Sequence, residues 1–240
     1  MADTKTPLPV PSIDIKVSSS APRAGVYDSL APREKKLAYH LIEASRAGRD
    51  IIFYQNHRHG LLIKSVLEKA LAPEFIADTQ ALLGPKAFSE LLKYSAKFED
   101  LGSPYATSHL KYVLREVTPG QVEELVRIHA PAKISAQTVR EVVRLLADPS
   151  FEVLRTPEDP AGKGLEECGG NLYERGITGE EVQAALKAGF KSNLNCRIVR
   201  GKNGGLKCQV QALNNPEIDP AVRSAFERVV RQLRLAIPYA

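Results

Sequence analysis

Asn195-Cys196-Arg197-Ile198-Val199-Arg200-Gly201-Lys202-Asn203-Gly204-Gly205-Leu206-Lys207-Cys208-Gln209-Val210-Gln211-Ala212-Leu213 decides the fold class. Cys196, Ile198 and Arg200 alternate with Arg197 and Val199. After the glycine-rich run, Leu206, Cys208, Val210 and Ala212 alternate with Lys207, Gln209 and Gln211. Strand side chains point to opposite faces in turn, so period two on both sides of Asn-Gly-Gly predicts an antiparallel hairpin. With Ile198 opposite Cys208, Cys196 faces Val210. Cys196 and Cys208 are then diagonal neighbours, expected about 7–8 Å apart, too far for an unstrained disulfide. Gly201–Gly205 lacks the G-x-x-x-x-G-K-[ST] pattern and follows a strand rather than opening a helix, so it reads as the turn and not as a phosphate loop. No other stretch carries a strong β signal. The expected class is mainly α with one β-hairpin, α+β.

Helices flank the hairpin. Downstream, Asp219-Pro220 is an N-cap followed by proline at the first helical position, with Val222, Phe226, Val229, Val230 and Leu233 as the expected buried stripe. Arg223, Glu227, Arg231 and Arg234 line the expected outer face. Upstream, Thr178-Gly179-Glu180-Glu181 and Thr118-Pro119-Gly120-Gln121 are capping boxes, in which the Thr hydroxyl and the acid or amide three residues on satisfy each other's backbone N–H groups. Further helices are expected over Thr138–Ala147, from Pro85 with Phe88, Leu91, Leu92, Ser95 and Phe98 on one side, and over Leu62–Ala70, ending at Ala72-Pro73. The first helix is expected from Pro32 to Ala47, capped by Gly48. A separate apolar segment, Arg49–Asn56, and a polar His57-Arg58-His59-Gly60 break follow it. The resulting layout is a flexible arm over 1–28, a helical region over 29–148, a loop or subdomain junction over 149–176, and helix, hairpin, helix over 177–240, as one continuous lobe.

The 240 residues can bury a substantial core, and 43% hydrophobic with 25% charged residues is ordinary for a globular protein. The net charge of +5 is interspersed, without the stripe that nucleic acid would require. The N-terminus lacks an apolar signal segment, and no run reaches the roughly 20 apolar residues of a membrane span. Cys168, Cys196 and Cys208 are odd in number and widely spaced, which points to free thiols in a reducing compartment, the cytoplasm by default.

Three strings carry a family resemblance. The first is Ala31-Pro32-Arg33-Glu34-Lys35-Lys36-Leu37-Ala38-Tyr39-His40-Leu41-Ile42-Glu43-Ala44. The second is Gly102-Ser103-Pro104-Tyr105-Ala106-Thr107-Ser108-His109-Leu110-Lys111-Tyr112-Val113. The third is Leu172-Tyr173-x-x-Gly176-Ile177-Thr178-x-x-Glu181-Val182, followed by Ser192-x-Leu194-Asn195-Cys196-Arg197-Ile198-Val199-Arg200. In order and spacing they resemble the N-terminal part of the dipeptidyl peptidase III family of zinc metallopeptidases. Ala31 stands where the family has Ser or Thr, and Thr107, Ser108, His109 and Leu114 stand where it has Phe, Gly, Asp and Pro. The resemblance implies the helical N-terminal part of that family's lower lobe, with the second string bordering a peptide cleft. Tyr105, Thr107 and Ser108 are then the candidate substrate contacts for an oligopeptide.

The family chemistry releases dipeptides from peptide N-termini. Its zinc motif, H-E-x-x-x-H, occurs nowhere in these residues, so no cofactor is expected in this chain while zinc belongs to the full-length family. His57 and His59 are the only close histidine pair and have no third ligand nearby; His40, His109 and His129 are isolated. Glu123-Glu124, Glu166-Glu167 and Glu180-Glu181 are adjacent, so their side chains diverge on a helix. No Ser or Cys lies in a glycine-framed nucleophile elbow. The chain by itself is expected to be inactive, and no catalytic residue is assigned. The alternative is a free-standing helical binding module derived from the lobe. No nucleic-acid or membrane partner is expected, and the hairpin edge is expected to favour self-association.

Overall fold

The computed structural model describes residues 24–131, 134–156, 164–193 and 195–240. Most of the expected arm, and residues 157–163 of the expected junction, lie outside them. The described residues form eight α-helices and one two-stranded sheet, the expected α+β class. They fall into two compact clusters, one built from residues 59–156 and 167–170, the other from residues 24–58, 164–166 and 171–240.

The first cluster holds α3 (Gly60–Ala70), α4 (Ile76–Leu101), α5 (Pro119–His129) and α6 (Ala136–Ala147). Its core joins Ile63, Val66 and Leu67 to Leu91, Val122, Leu125, Val126, Val142 and Leu146, around an apolar void of only about 10 Å³. Thr118 opens α5 as expected, accepting from the Gln121 N–H at 3.3 Å while Gln121 Oε1 accepts from the Thr118 N–H at 3.0 Å. Ser135 caps α6 through the Thr138 N–H at 3.0 Å. Pro85 does open a helix, but about two further turns, from Ile76, precede it. Gly84, at φ 75° and ψ 169°, kinks α4 where a side chain would be strained. The early turns are held by a buried Thr79 hydroxyl donating to the Ala70 carbonyl at 2.7 Å. Ala87, Leu91, Tyr94 and Phe98 form the buried face, and Leu92 is exposed, so the stripe is rotated from the expected one.

The second cluster begins with α1 (Ala24–Ser29), inside the expected flexible arm, and α2 (Pro32–Asn56). Glu34 accepts from the Ala31 N–H at 2.7 Å, so half of the capping box survives without a hydroxyl at Ala31. Gly48 does not cap this helix. It lies within α2, which absorbs the apolar segment expected to be separate. A Cβ there would stand 3.9 Å from Val229 Cγ2 of α8 (Pro220–Ala236). Four of the buried residues of the two helices are alanines, Ala44 and Ala47 on α2 and Ala225 and Ala236 on α8, beside the larger Phe53 and Val222, and the small side chains allow close approach. His40 Nδ1 and Gln232 Oε1 meet at 2.9 Å, and Arg228 pairs with Asp50.

Thr178 opens α7 (Gly179–Lys187) as a full capping box. The hairpin strands β1 (Cys196–Arg200) and β2 (Leu206–Val210) pair in the expected register, Ile198 opposite Cys208 and Cys196 opposite Val210. Leu165, Ile177, Val182, Cys196 and Ile198 bury a small core beneath them. The expectation of free thiols is corrected here, and one hairpin edge has a partner within the chain. The outer edge of β1 is closed by residues 172–174: Ile198 N–H donates to the Leu172 carbonyl at 2.8 Å and Glu174 N–H to the Ile198 carbonyl at 2.7 Å. Cys196 and Cys208 are also joined as a disulfide, with Cα atoms 5.4 Å apart. A two-stranded ribbon twists more than a wide sheet, and the twist draws one diagonal together while opening the other.

Candidate functional site

The second of the three strings forms a compact loop held by isolated single-residue β-bridges. Gly102, at φ 60°, ends α4 in the left-handed conformation. Tyr105 bridges Lys111, Leu110 bridges Leu154, and Leu154 bridges Cys168. Between Tyr105 and Lys111 the chain turns tightly, with Ala106 N–H donating to the Leu110 carbonyl at 2.7 Å and His109 N–H to the Ala106 carbonyl at 2.9 Å. These bridges involve single residues with no repeating pattern, which is why alternation does not reveal them in the sequence.

Lys111 anchors the loop. It is 2% exposed, and its Nζ donates to the Asp148 carbonyl at 2.6 Å and to the Phe151 carbonyl. Its charge lies 5.8 Å from the Phe151 ring centre, and Arg144 stacks on the same ring at 4.1 Å. Burial pulls the Lys111 pKa down to about 8; Asp148 and Glu152 oppose the shift and Arg144 adds to it. Tyr105 is equally buried, its hydroxyl donating to the Glu152 carbonyl at 3.2 Å. It supports the loop from inside, so its expected role as a substrate contact is corrected.

The loop tip presents Thr107 and Ser108, both exposed. His109 beside them has a φ of 66°, uncommon for a residue with a Cβ. It is held there by neighbours on the next segment: Arg155 N–H donates to its carbonyl at 3.0 Å, its Nδ1 meets Thr156 Oγ1 at 3.1 Å, and Arg155 Nη2 lies 3.3 Å from Nε2. Nothing in Ala106-Thr107-Ser108-His109 announces this turn, since Gly and Asn are absent. The available chemistry is hydrogen bonding from the two exposed hydroxyls, since both ring nitrogens of His109 face Thr156 and Arg155.

The donor set does not fit a zinc ion. Among the described residues no group of three or more His, Cys, Asp or Glu side chains could hold a metal. His57 is fully buried at the end of α2, and His59 Nε2 is paired with Glu141 Oε2 at 2.8 Å. His129 is also buried, edge-on to Phe75, and burial with the nearby Lys69 lowers its pKa. Of the acidic pairs, Glu181 is committed to the α7 cap and to Arg200, whose bidentate hydrogen bonds are the main cause of its carboxyl falling to about 2. No family model matches the chain, and no curated protein sequence matches it. No described helix is long and apolar enough to cross a membrane.

Proposed function

We propose that this chain is the N-terminal, lower-lobe portion of a dipeptidyl peptidase III-like zinc exopeptidase, and that it contributes peptide-binding surface rather than reaction chemistry. The observation that carries the reading is the loop at Gly102–Val113. A buried lysine and a strained histidine hold it rigid, and it offers two exposed hydroxyls, Thr107 and Ser108, to a polar ligand. A preorganised rim of this kind suits a peptide backbone, because its groups need no ordering on binding. Zinc polarises water and carbonyl when present in such enzymes, and its ligands would come from a different segment. The reading carries a cytoplasmic location with it.

A second reading, a non-enzymatic binding module, is favoured by one observation. The outer edge of β1 is already closed by this chain's own residues 172–174, so the hairpin leans less on strands supplied from elsewhere.

Mixing separates the two readings. The purified chain is expected to hold no stoichiometric zinc after dialysis against a mild chelator and to leave dipeptidyl-arylamides uncut. Adding a separately expressed lobe that carries H-E-x-x-x-H should produce hydrolysis. The double variant Thr107→Ala/Ser108→Ala should then raise KM by about tenfold with kcat retained, the size expected for two lost hydrogen bonds to ligand. Near-equimolar zinc or hydrolysis by the chain alone would defeat the proposal, and inertness in the mixture would favour the binding module.

A further inference from the structure

α8 buries only one side. Val222, Ala225 and Ala236 face inward, while Phe226, Val230, Leu233 and Ile237 recur at i, i+4, i+7 and i+11 along a neighbouring strip. Ile237 keeps right-handed helical dihedrals beyond the helix end, so the strip continues through it. Leu233 is 44% and Ile237 70% exposed. Beside the strip runs an open groove of about 370 Å³, walled by Val230, Leu235 and Leu213 with Glu227, Arg231 and Arg234. Among the described residues Arg231 and Arg234 make no ion pair or side-chain hydrogen bond, whereas Arg228 is paired with Asp50 and Arg223 donates to the Leu213 and Asn215 carbonyls.

An apolar seam at three-to-four spacing is the surface that a second helix fills in knobs-into-holes packing, and charged residues flanking the seam select the partner by sign. Two unsatisfied guanidinium groups three residues apart lie on one flank, against a single carboxylate. They match carboxylates one turn apart on the opposing helix.

We infer that the Phe226–Ile237 face of α8 docks an acidic amphipathic helix of a partner polypeptide, with leucine-type side chains on the seam and carboxylates against Arg231 and Arg234. The inference does not depend on the peptidase reading, since it uses neither the loop at Gly102–Val113 nor any zinc chemistry.

The test uses the full chain and two synthetic peptides of three heptads, both with Leu at a and d, one with Glu and the other with Lys at e and g. Titration by fluorescence anisotropy at low salt should show the Glu peptide binding about tenfold or more tighter than the Lys peptide, with the gap narrowing at high salt. The double variant Arg231→Glu/Arg234→Glu should reverse the order. Both side chains are exposed, so the fold should survive, as circular dichroism will show. Leu233→Asp should weaken both peptides. Equal binding of the two peptides, or a preference unchanged by the charge reversal, overturns the proposal. So does binding to phosphatidylglycerol vesicles that ignores the Glu peptide, which would make the face a membrane surface. A chain that sediments as a dimer, and becomes monomeric only with Leu233→Asp, would assign the seam to a second copy instead.

Discussion

Tyr94 lies on the buried face of α4, 1% exposed and stacked on Phe98 with ring centres 6.1 Å apart. Its hydroxyl has no hydrogen-bond partner among the described residues, and burial pushes its pKa up. A buried hydroxyl without a partner carries a desolvation cost with no return, so deleting it removes the cost and leaves the ring packing intact. Tyr94→Phe should therefore stabilise the protein by about 1 kcal/mol, read as a rise in the urea midpoint at unchanged slope. Any loss of stability would mean that the hydroxyl is satisfied. Lys111 makes the opposite use of burial, since it is paired with carbonyls and still carries its charge at neutral pH. Its folded pKa of about 8 lies below the ordinary lysine value of 10.5, so folding must bury a charge that the unfolded chain keeps in water. That cost is fully present below pH 8 and is relieved as pH rises from there toward 10.5. Relative to Lys111→Met, the wild type should gain about 2 kcal/mol between pH 7 and pH 9.5 in chemical denaturation, at 1.36 kcal/mol per unit of separation. A flat difference across that range would show that Lys111 titrates normally.

Gly48 lies where α2 packs against Val229 of α8. A Cβ would meet Val229 Cγ2 at 3.9 Å, an ordinary contact, so alanine fits and restores helix propensity, while a longer side chain cannot fit. Gly48→Ala should stabilise by up to about 1 kcal/mol, and Gly48→Leu should cost about 1–3 kcal/mol through overpacking; thermal melts of the pair test both signs at once. The same glycine explains why the sequence predicts a shorter α2 than the structure has. Gly after an amphipathic run signals a cap, and only the partner helix reveals that it serves close packing. Elements stated by local chemistry were legible in full: the boxes at Thr118 and Thr178 and the Asp219-Pro220 start depend on residues within three positions, and the hairpin register follows from the alternation on either side of one short turn. What was hidden depends on distant residues. The single-residue bridges through Tyr105, Lys111, Leu154 and Cys168 have no period, and the closeness of Cys196 to Cys208 follows from ribbon twist rather than from spacing. The candidate loop followed the same rule. Its position was readable from its string, but the burial of Tyr105 and Lys111 was not, since both residue types usually keep a polar tip in water.

The two clusters differ in how the chain builds them. The first is almost contiguous, from residue 59 to 156 with a short return at 167–170, whereas the second joins α2 to α7, the hairpin and α8 across that whole insertion. Each has a core of its own, Leu125, Val142 and Leu145 in one and Ile177, Val182 and Ile198 in the other. Closing a long flexible loop costs entropy that grows only logarithmically, so a folded insertion spares the second cluster part of that cost, and its unfolding withdraws the saving. Truncating a fully buried aliphatic residue removes about 2–5 kcal/mol from the unit that contains it. Calorimetry should therefore resolve two transitions. Ile177→Ala should lower only the transition of the second cluster. Leu145→Ala should lower that of the first strongly and that of the second by about 1 kcal/mol or less, because each doubling of the open loop costs only about 0.6 kcal/mol. A single peak moved equally by both variants would instead make the chain one cooperative unit, in which the short segments linking residues 58–59 and 166–171 transmit the loss of either core to the other.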